Sequence, residues 1–143
     1  MALDLGSQLG WATFDEPDAY HWGTVVLTDE AHLTGHAESV MALRSLLDWT
    51  NPVRIAFESV RGHRGTSAAH RYGALVGALA AWAKEHGVGL FGASPQAIKR
   101  HATGNSRASK SDMMNAAMAK WGKRFEFDDA ADARWLLDLV QHG

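Results

Sequence analysis

The chain has 143 residues, 46% hydrophobic and 21% charged, which is the size and balance of one globular domain spanning residues 1–143. It has no cysteine, so a disulfide scaffold, a cysteine zinc site and a thiol nucleophile are excluded; its formal charge of −2 argues, as a mean, against a nucleic-acid binder. No apolar run nears the ~20 residues of a membrane span, and the start MALDLGSQ is no signal peptide, so no membrane partner and a cytoplasmic location are expected.

In chain order, Ala2–Leu5 reads as a short strand running into a Gly6–Gly10 turn, and Trp11–Phe14 as its antiparallel partner. A turn is expected at Asp15–Asp18, then a third strand from Tyr20 to Leu27. From about His36 to Trp49 the period becomes helical, with Val40, Met41, Leu43 and Leu47 near one face. Val53–Glu58 is apolar enough for a central strand. Arg61–Gly65 is a basic loop. Thr66–His86 forms a long helix whose Tyr72, Leu75, Val76, Leu79 and Ala83 share a face, with Gly87 closing it. Val88–Phe91 is a fifth strand. Ser94-Pro95 opens a short helix ending near Gly104; Ser109 caps the next, to Trp121; the last runs from Asp128 to about Gln141. The order β-β-β-α-β-α-β-α-α-α implies an α/β fold, a mixed sheet with helices on its faces.

Four acids stand where cores usually are. Asp4 lies between Leu3 and Leu5, and Glu58 ends an apolar strand. Asp129 and Asp132 share one face at the start of the last helix. If the first and fourth strands are parallel neighbours, Asp4 and Glu58 come within reach. If the last helix packs Leu136 and Val140 on that sheet, its acids complete the cluster. Converging carboxylates repel, and a divalent cation is the usual resolution. Oxygen-only ligands suit Mg²⁺ or Mn²⁺, and a pair of such ions can drive phosphodiester cleavage. Asp128 beside them reads as a helix-start acid favoured by the macrodipole.

Four segments in order, LeuAspLeuGlySer, IleAlaPheGluSerVal, SerProGlnAlaIleLysArgHisAlaThrGlyAsnSerArgAlaSerLysSerAsp and AspAlaAlaAsp, resemble RuvC-type Holliday junction resolvases of the ribonuclease H-like superfamily. The Asp-x-Gly start alone is shared with sugar kinases and actin-like ATPases; the lysine-bearing stretch followed by Asp-x-x-Asp is more specific. The resemblance implies a ribonuclease H-like fold with a five-stranded mixed sheet, the first three strands antiparallel and the first, fourth and fifth parallel, with helices on both faces. It implies a homodimeric, Mg²⁺-dependent endonuclease that resolves four-way DNA junctions by paired symmetric nicks through metal-activated water. Asp4, Glu58, Asp129 and Asp132 match the family's metal-binding acids, with Asp4 expected to bridge two ions, and Lys99 and Lys110 match its functional lysines. Arg61 stands where bacterial relatives commonly carry an aromatic residue. The segment after it looks closer to phage versions of the fold, so a bacterial cytoplasm or a phage source is expected. The short run before Asp4 is compatible with a trimmed start.

The phosphate contacts are expected in one window. Between Arg61 and Lys110 eight basic residues, among them Arg61, Arg64, Arg71, Lys99, Arg100, Arg107 and Lys110, face only Glu85. Lys and Arg on phosphates supply most sequence-independent DNA affinity. Lys110 is also expected to act at the scissile phosphate. The six tryptophans read mainly as core, and Met113, Met114 and Met118 as core or interface. The alternatives are a related nuclease for flaps, other branched DNA or RNA–DNA hybrids, a non-catalytic junction binder, and an actin-like nucleotide-binding module. The last would need a second lobe and a second Gly-rich phosphate loop.

Overall fold

A computed structural model describes residues 1–15, 19–27 and 33–143. The strands are β1 (Ala2–Leu5), β2 (Leu9–Asp15), β3 (Ala19–Val25), β4 (Arg54–Glu58) and β5 (Gly89–Ala93). The helices are α1 (Leu33–Thr50), α2 (Thr66–His86), α3 (Pro95–Thr103), α4 (Lys110–Trp121) and α5 (Asp128–His142). The strands form one sheet in the order β3-β2-β1-β4-β5. β1, β2 and β3 are antiparallel in sequence, whereas β1 with β4 and β4 with β5 are parallel. This is the expected architecture. The expected turn at Asp15–Asp18 lies largely outside the described residues. No described helix is long and apolar enough to cross a membrane.

Alternation along the strands sorts the two faces. Leu3, Leu5, Leu9 and Ile55 point to one side and pack with Leu43 and Leu47 of α1 and Leu75, Leu79 and Trp82 of α2. Trp82 Nε1 donates to Asp48 at 2.8 Å, tying α1 to α2. The other face is made of small residues, Ala2, Ala12, Ala56 and Ala93, against Ala130, Ala131 and Ala133 of α5. Small side chains on both surfaces let the helix approach the sheet closely. The closest approach is at Gly10, where any Cβ would collide with the backbone carbonyl of Asp129. Gly10 therefore sets the height at which α5 begins.

Three helices on this face are joined by a buried charge. Asp138 of α5 is 2% exposed. It accepts a 2.7 Å hydrogen bond from Lys120 of α4 and pairs with His101 Nε2 of α3, also at 2.7 Å. Arg134 Nη1 lies 4.0 Å from it, with its guanidinium 3.8 Å from the Tyr20 ring and 4.3 Å from that of Trp121. Burial raises the Asp138 carboxyl, but the Lys120 and His101 contacts outweigh it and hold the group below its usual value.

Some side chains depart from expectation. Trp49 is 73% exposed and only edges against Trp11: Leu47 and Asp48 beside it face α2, and Trp49 is turned away from that contact. Met41, Met118 and Val140 also face outward. Val140 faces away from the sheet, although its neighbours Leu139 and Gln141 still meet the core and Tyr20, and Leu136 and Leu137 carry the packing.

Two substitutions test this packing. Gly10→Ala should destabilise by about 1–3 kcal/mol or more through overpacking, read as a lowered denaturation midpoint. Asp138→Ala leaves Arg134 and Lys120 without their counter-charge and should cost roughly 3–5 kcal/mol in chemical unfolding.

Candidate active site

The parallel register pairs Ala2 with Ala56 and Leu3 with Phe57. Continued one residue, it sets Asp4 beside Glu58 at the carboxyl ends of β1 and β4. Both side chains share the α5 face with Ala2 and Ala56. The start of α5 lies over them because Gly10, opposite Asp4 on β2, admits the Asp129 backbone. Gly6 marks the meeting point. A Cβ there would lie 3.3 Å from Asp4 Oδ1 and 3.6 Å from Asp129 Oδ1. The spacing i, i+3 then brings Asp132 to the same side.

The electrostatics show how close the four acids are. Asp4 is 6% exposed. Burial, then repulsion from Glu58, Asp132 and Asp129, holds its carboxyl well above the usual range. Its carboxyl also lies within hydrogen-bonding reach of Glu58. Glu58 is also raised, mainly by burial, although the Asp4 bond and the charge of Lys99 favour its ionised form. Asp132 is pushed up to about 7 by burial and by Glu58, Asp128 and Asp129, with Lys110 opposing. Asp129 is raised by burial and by Asp128, again against Lys110. The structure thus brings Asp4, Glu58, Asp129 and Asp132 into one mutually repelling group.

Divalent-cation chemistry fits this donor set. All four side chains offer hard carboxylate oxygens, and the excess negative charge has too little cationic compensation. Among the described residues, no three Asp, Glu or His side chains are drawn in closely enough to hold an ion as they stand.

The basic residues divide into groups. Lys110, at the start of α4, forms a 2.9 Å ion pair with Asp128 and also feels Asp129 and Asp132. Asp128 is therefore more than a helix-start acid: it is the counter-charge that brings Lys110 to the cluster. Lys99 of α3 acts on Glu58. Arg61 and Arg64 are exposed on the loop that follows Glu58, and Arg71 is half-buried in α2. Arg100 and Arg107 are exposed on α3 and on the loop after it, flanking Lys99 and Lys110 in sequence. Sequence reading missed the Asp138 knot, which fixes the helices bearing Lys99, Lys110 and Asp132. It also took Tyr72 as an apolar α2 position, whereas its hydroxyl reaches the Glu58 backbone.

Solved structures share this architecture. Thermus thermophilus RuvC aligns with a TM-score of 0.68 at 20% identity, over 94% of this chain and 87% of that one. The chain has the fold of the RuvC-type resolvases. The same T. thermophilus protein in complex with Holliday junction substrate aligns at 0.70. The yeast mitochondrial Holliday junction resolvase Ydc2 aligns at 0.57, with 21% identity over 99% of this chain and 80% of its own. Fowlpox virus resolvase with Holliday junction DNA aligns at 0.59, with 12% identity over 95% and 94%. No sequence-family model and no curated protein sequence matches the chain. The RuvC-type fold is thus recognisable here in three dimensions at identities where sequence comparison finds nothing.

The raised carboxyl groups predict a pH effect with a definite sign. An acid raised on folding binds its proton more tightly in the native state, so stability falls as pH rises from the unfolded to the folded value. For Asp132 that window runs from about 4 to about 7. Without metal, the protein should melt at higher temperature at pH 5 than at pH 8. Excess Mg²⁺ should raise the midpoint more at pH 8, where it does not compete with protons. A metal-free midpoint that is flat or rising between pH 5 and 8 contradicts the cluster.

Proposed function

We propose that the chain is a metal-dependent endodeoxyribonuclease that resolves four-way DNA junctions. The observation that carries this is the convergence of Asp4, Glu58, Asp129 and Asp132 at the carboxyl end of a sheet with the RuvC-type fold. Two of the structural neighbours hold Holliday junction DNA, which supports branched DNA as the substrate class.

In this reading the four acids hold Mg²⁺ or Mn²⁺, with room in the donor set for two ions. Such ions activate water and stabilise the leaving oxygen of a phosphodiester. The protein's own groups do the rest. Asp4 and Glu58 would hold the ion through their ionised carboxylates. Lys110, steered by Asp128, offers its ammonium to charge developing on the scissile phosphate, and Lys99 does so from the Glu58 side. Arg61, Arg64, Arg71, Arg100 and Arg107 neutralise backbone phosphates around the site and position the duplex arms.

Paired symmetric nicks require two such sites related by a two-fold axis, so the active form is a homodimer. Flaps, other branched DNA and RNA–DNA hybrids are the nearest alternative substrates, since the same carboxylate chemistry would serve them.

Labelled four-way junctions, flaps, hybrids and plain duplex with Mg²⁺ should separate these. Paired nicks at the junction are expected, with little cutting of duplex. Asp4→Asn should slow cleavage by on the order of 10²–10³-fold, the scale of losing one preorganised electrostatic group, while still shifting the junction in a gel. Unchanged cleavage by Asp4→Asn contradicts the mechanism, and equal cutting of plain duplex contradicts the junction assignment.

A further inference from the structure

The chain segment that carries Glu58 is held from two sides. Ser59 N–H donates to the Ala93 carbonyl at 2.8 Å, so pairing with β5 continues one residue beyond β4. From the other side comes Tyr72, in the second turn of α2. Its hydroxyl donates to the Glu58 carbonyl at 3.0 Å and accepts from the Val60 N–H at 2.9 Å. One hydroxyl thus satisfies two main-chain groups where the ladder ends, a place where a strand otherwise opens to water.

The Tyr72 ring packs against the apolar α1–α2 cluster, and His63 lies against it with centroids 4.7 Å apart. Phenylalanine would fill the same volume, so packing alone does not call for the hydroxyl. Its direction is informative. Strand alternation sends the Glu58 side chain to the α5 face, whereas Tyr72 approaches from the α2 face. The clamp fixes the backbone of residues 58–60 and engages neither carboxylate oxygen of Glu58. A group that hydrogen-bonded the carboxylate itself would compete with a cation for lone pairs.

We propose that Tyr72 is a positioning residue for Glu58: its hydroxyl sets the backbone from which the carboxylate faces Asp4. The proposal rests on the metal-dependent nuclease reading above. It also gives the basic loop a route to the site. Arg61, His63 and Arg64 follow Val60 directly, and Arg71 adjoins Tyr72, so DNA engaging these residues bears on the same hydrogen-bonded turn.

The test compares wild type, Tyr72→Phe and Asp4→Asn in the full chain. Mg²⁺ binding is measured calorimetrically, cleavage of a four-way junction is followed across Mg²⁺ concentrations, and amide exchange is read at Val60 and along α2. Tyr72→Phe should weaken Mg²⁺ binding by about tenfold, the scale found for groups that orient metal ligands. Its half-saturating Mg²⁺ should rise by a similar factor, with a smaller loss of rate at saturation. The Val60 amide should lose protection while Leu75 and Leu79 keep theirs. Wild-type Mg²⁺ affinity in Tyr72→Phe, with the Val60 amide exposed, overturns the proposal. So does weakened affinity accompanied by equal loss of protection along α2, which marks general destabilisation. A wild type that binds no Mg²⁺ and matches Asp4→Asn overturns the metal reading beneath it, an outcome recognisable without the Tyr72 variant.

Discussion

Four carboxylates forced into one partly buried space dominate this molecule's energetics. Each is pushed toward its neutral form by burial and by its neighbours, and Asp4 most of all. An arrangement of this kind is unfavourable for the isolated chain. It persists because the surrounding structure over-determines it. Adding a proton to one carboxyl relieves only the repulsion on that group. A doubly charged ion relieves more, because it can satisfy oxygens from the α5 acids as well.

The fold provides that over-determination through small residues rather than large ones. Ala2, Ala12, Ala56 and Gly10 lower the sheet surface under α5, so the first turn of that helix reaches the ends of β1 and β4. Bulkier side chains would lift Asp129 and Asp132 away from Asp4. At the other end of α5, Asp138 binds the α3 and α4 helices through His101 and Lys120. These are the helices that deliver Lys99 and Lys110. A buried ion cluster of this kind is weak support for stability in itself, given its desolvation cost. Its effect here is geometric: it fixes the angular relation between the helix bearing two acids and the two helices bearing the lysines.

The elements were legible because their signals are local. Ser94-Pro95 and Ser109 cap helices where expected, and both caps form, Ser109 as a full capping box with Asp112. Gly87 and Gly104 end helices at positive φ, as glycine allows. Asp4 and Glu58 stood out because charge inside an apolar strand has few structural explanations. The Asp138 knot had no such signal. Its partners lie 18 and 37 residues away on other helices, and an acid late in a helix reads as a solvated face. Trp49 was misplaced for the opposite reason. Its hydrophobicity is plain in sequence, but which side of α1 meets α2 at its last turn is a property of the packed pair. Tyr72 fitted the apolar stripe of α2 correctly, and the stripe conceals that one member ends in a hydroxyl.

Charge is where the sequence average misled most. A formal −2 describes neither half of the molecule. Residues before Glu58 are mainly acidic, whereas the stretch from Arg61 to Lys110 is almost purely basic. The structure gives that segregation a reason. Asp4 is buried and Glu58, Asp129 and Asp132 are half-buried where β1, β4 and α5 meet, whereas Arg61, Arg64, Arg100, Arg107 and Lys110 are exposed. On the proposed function, a polyanion approaching this surface would meet the exposed arginines first. The carboxylates that would repel it are screened by Lys99 and Lys110, and by any cation they bind. Net charge therefore bears on solubility, whereas the order in which a phosphate backbone meets each sign decides whether it can dock.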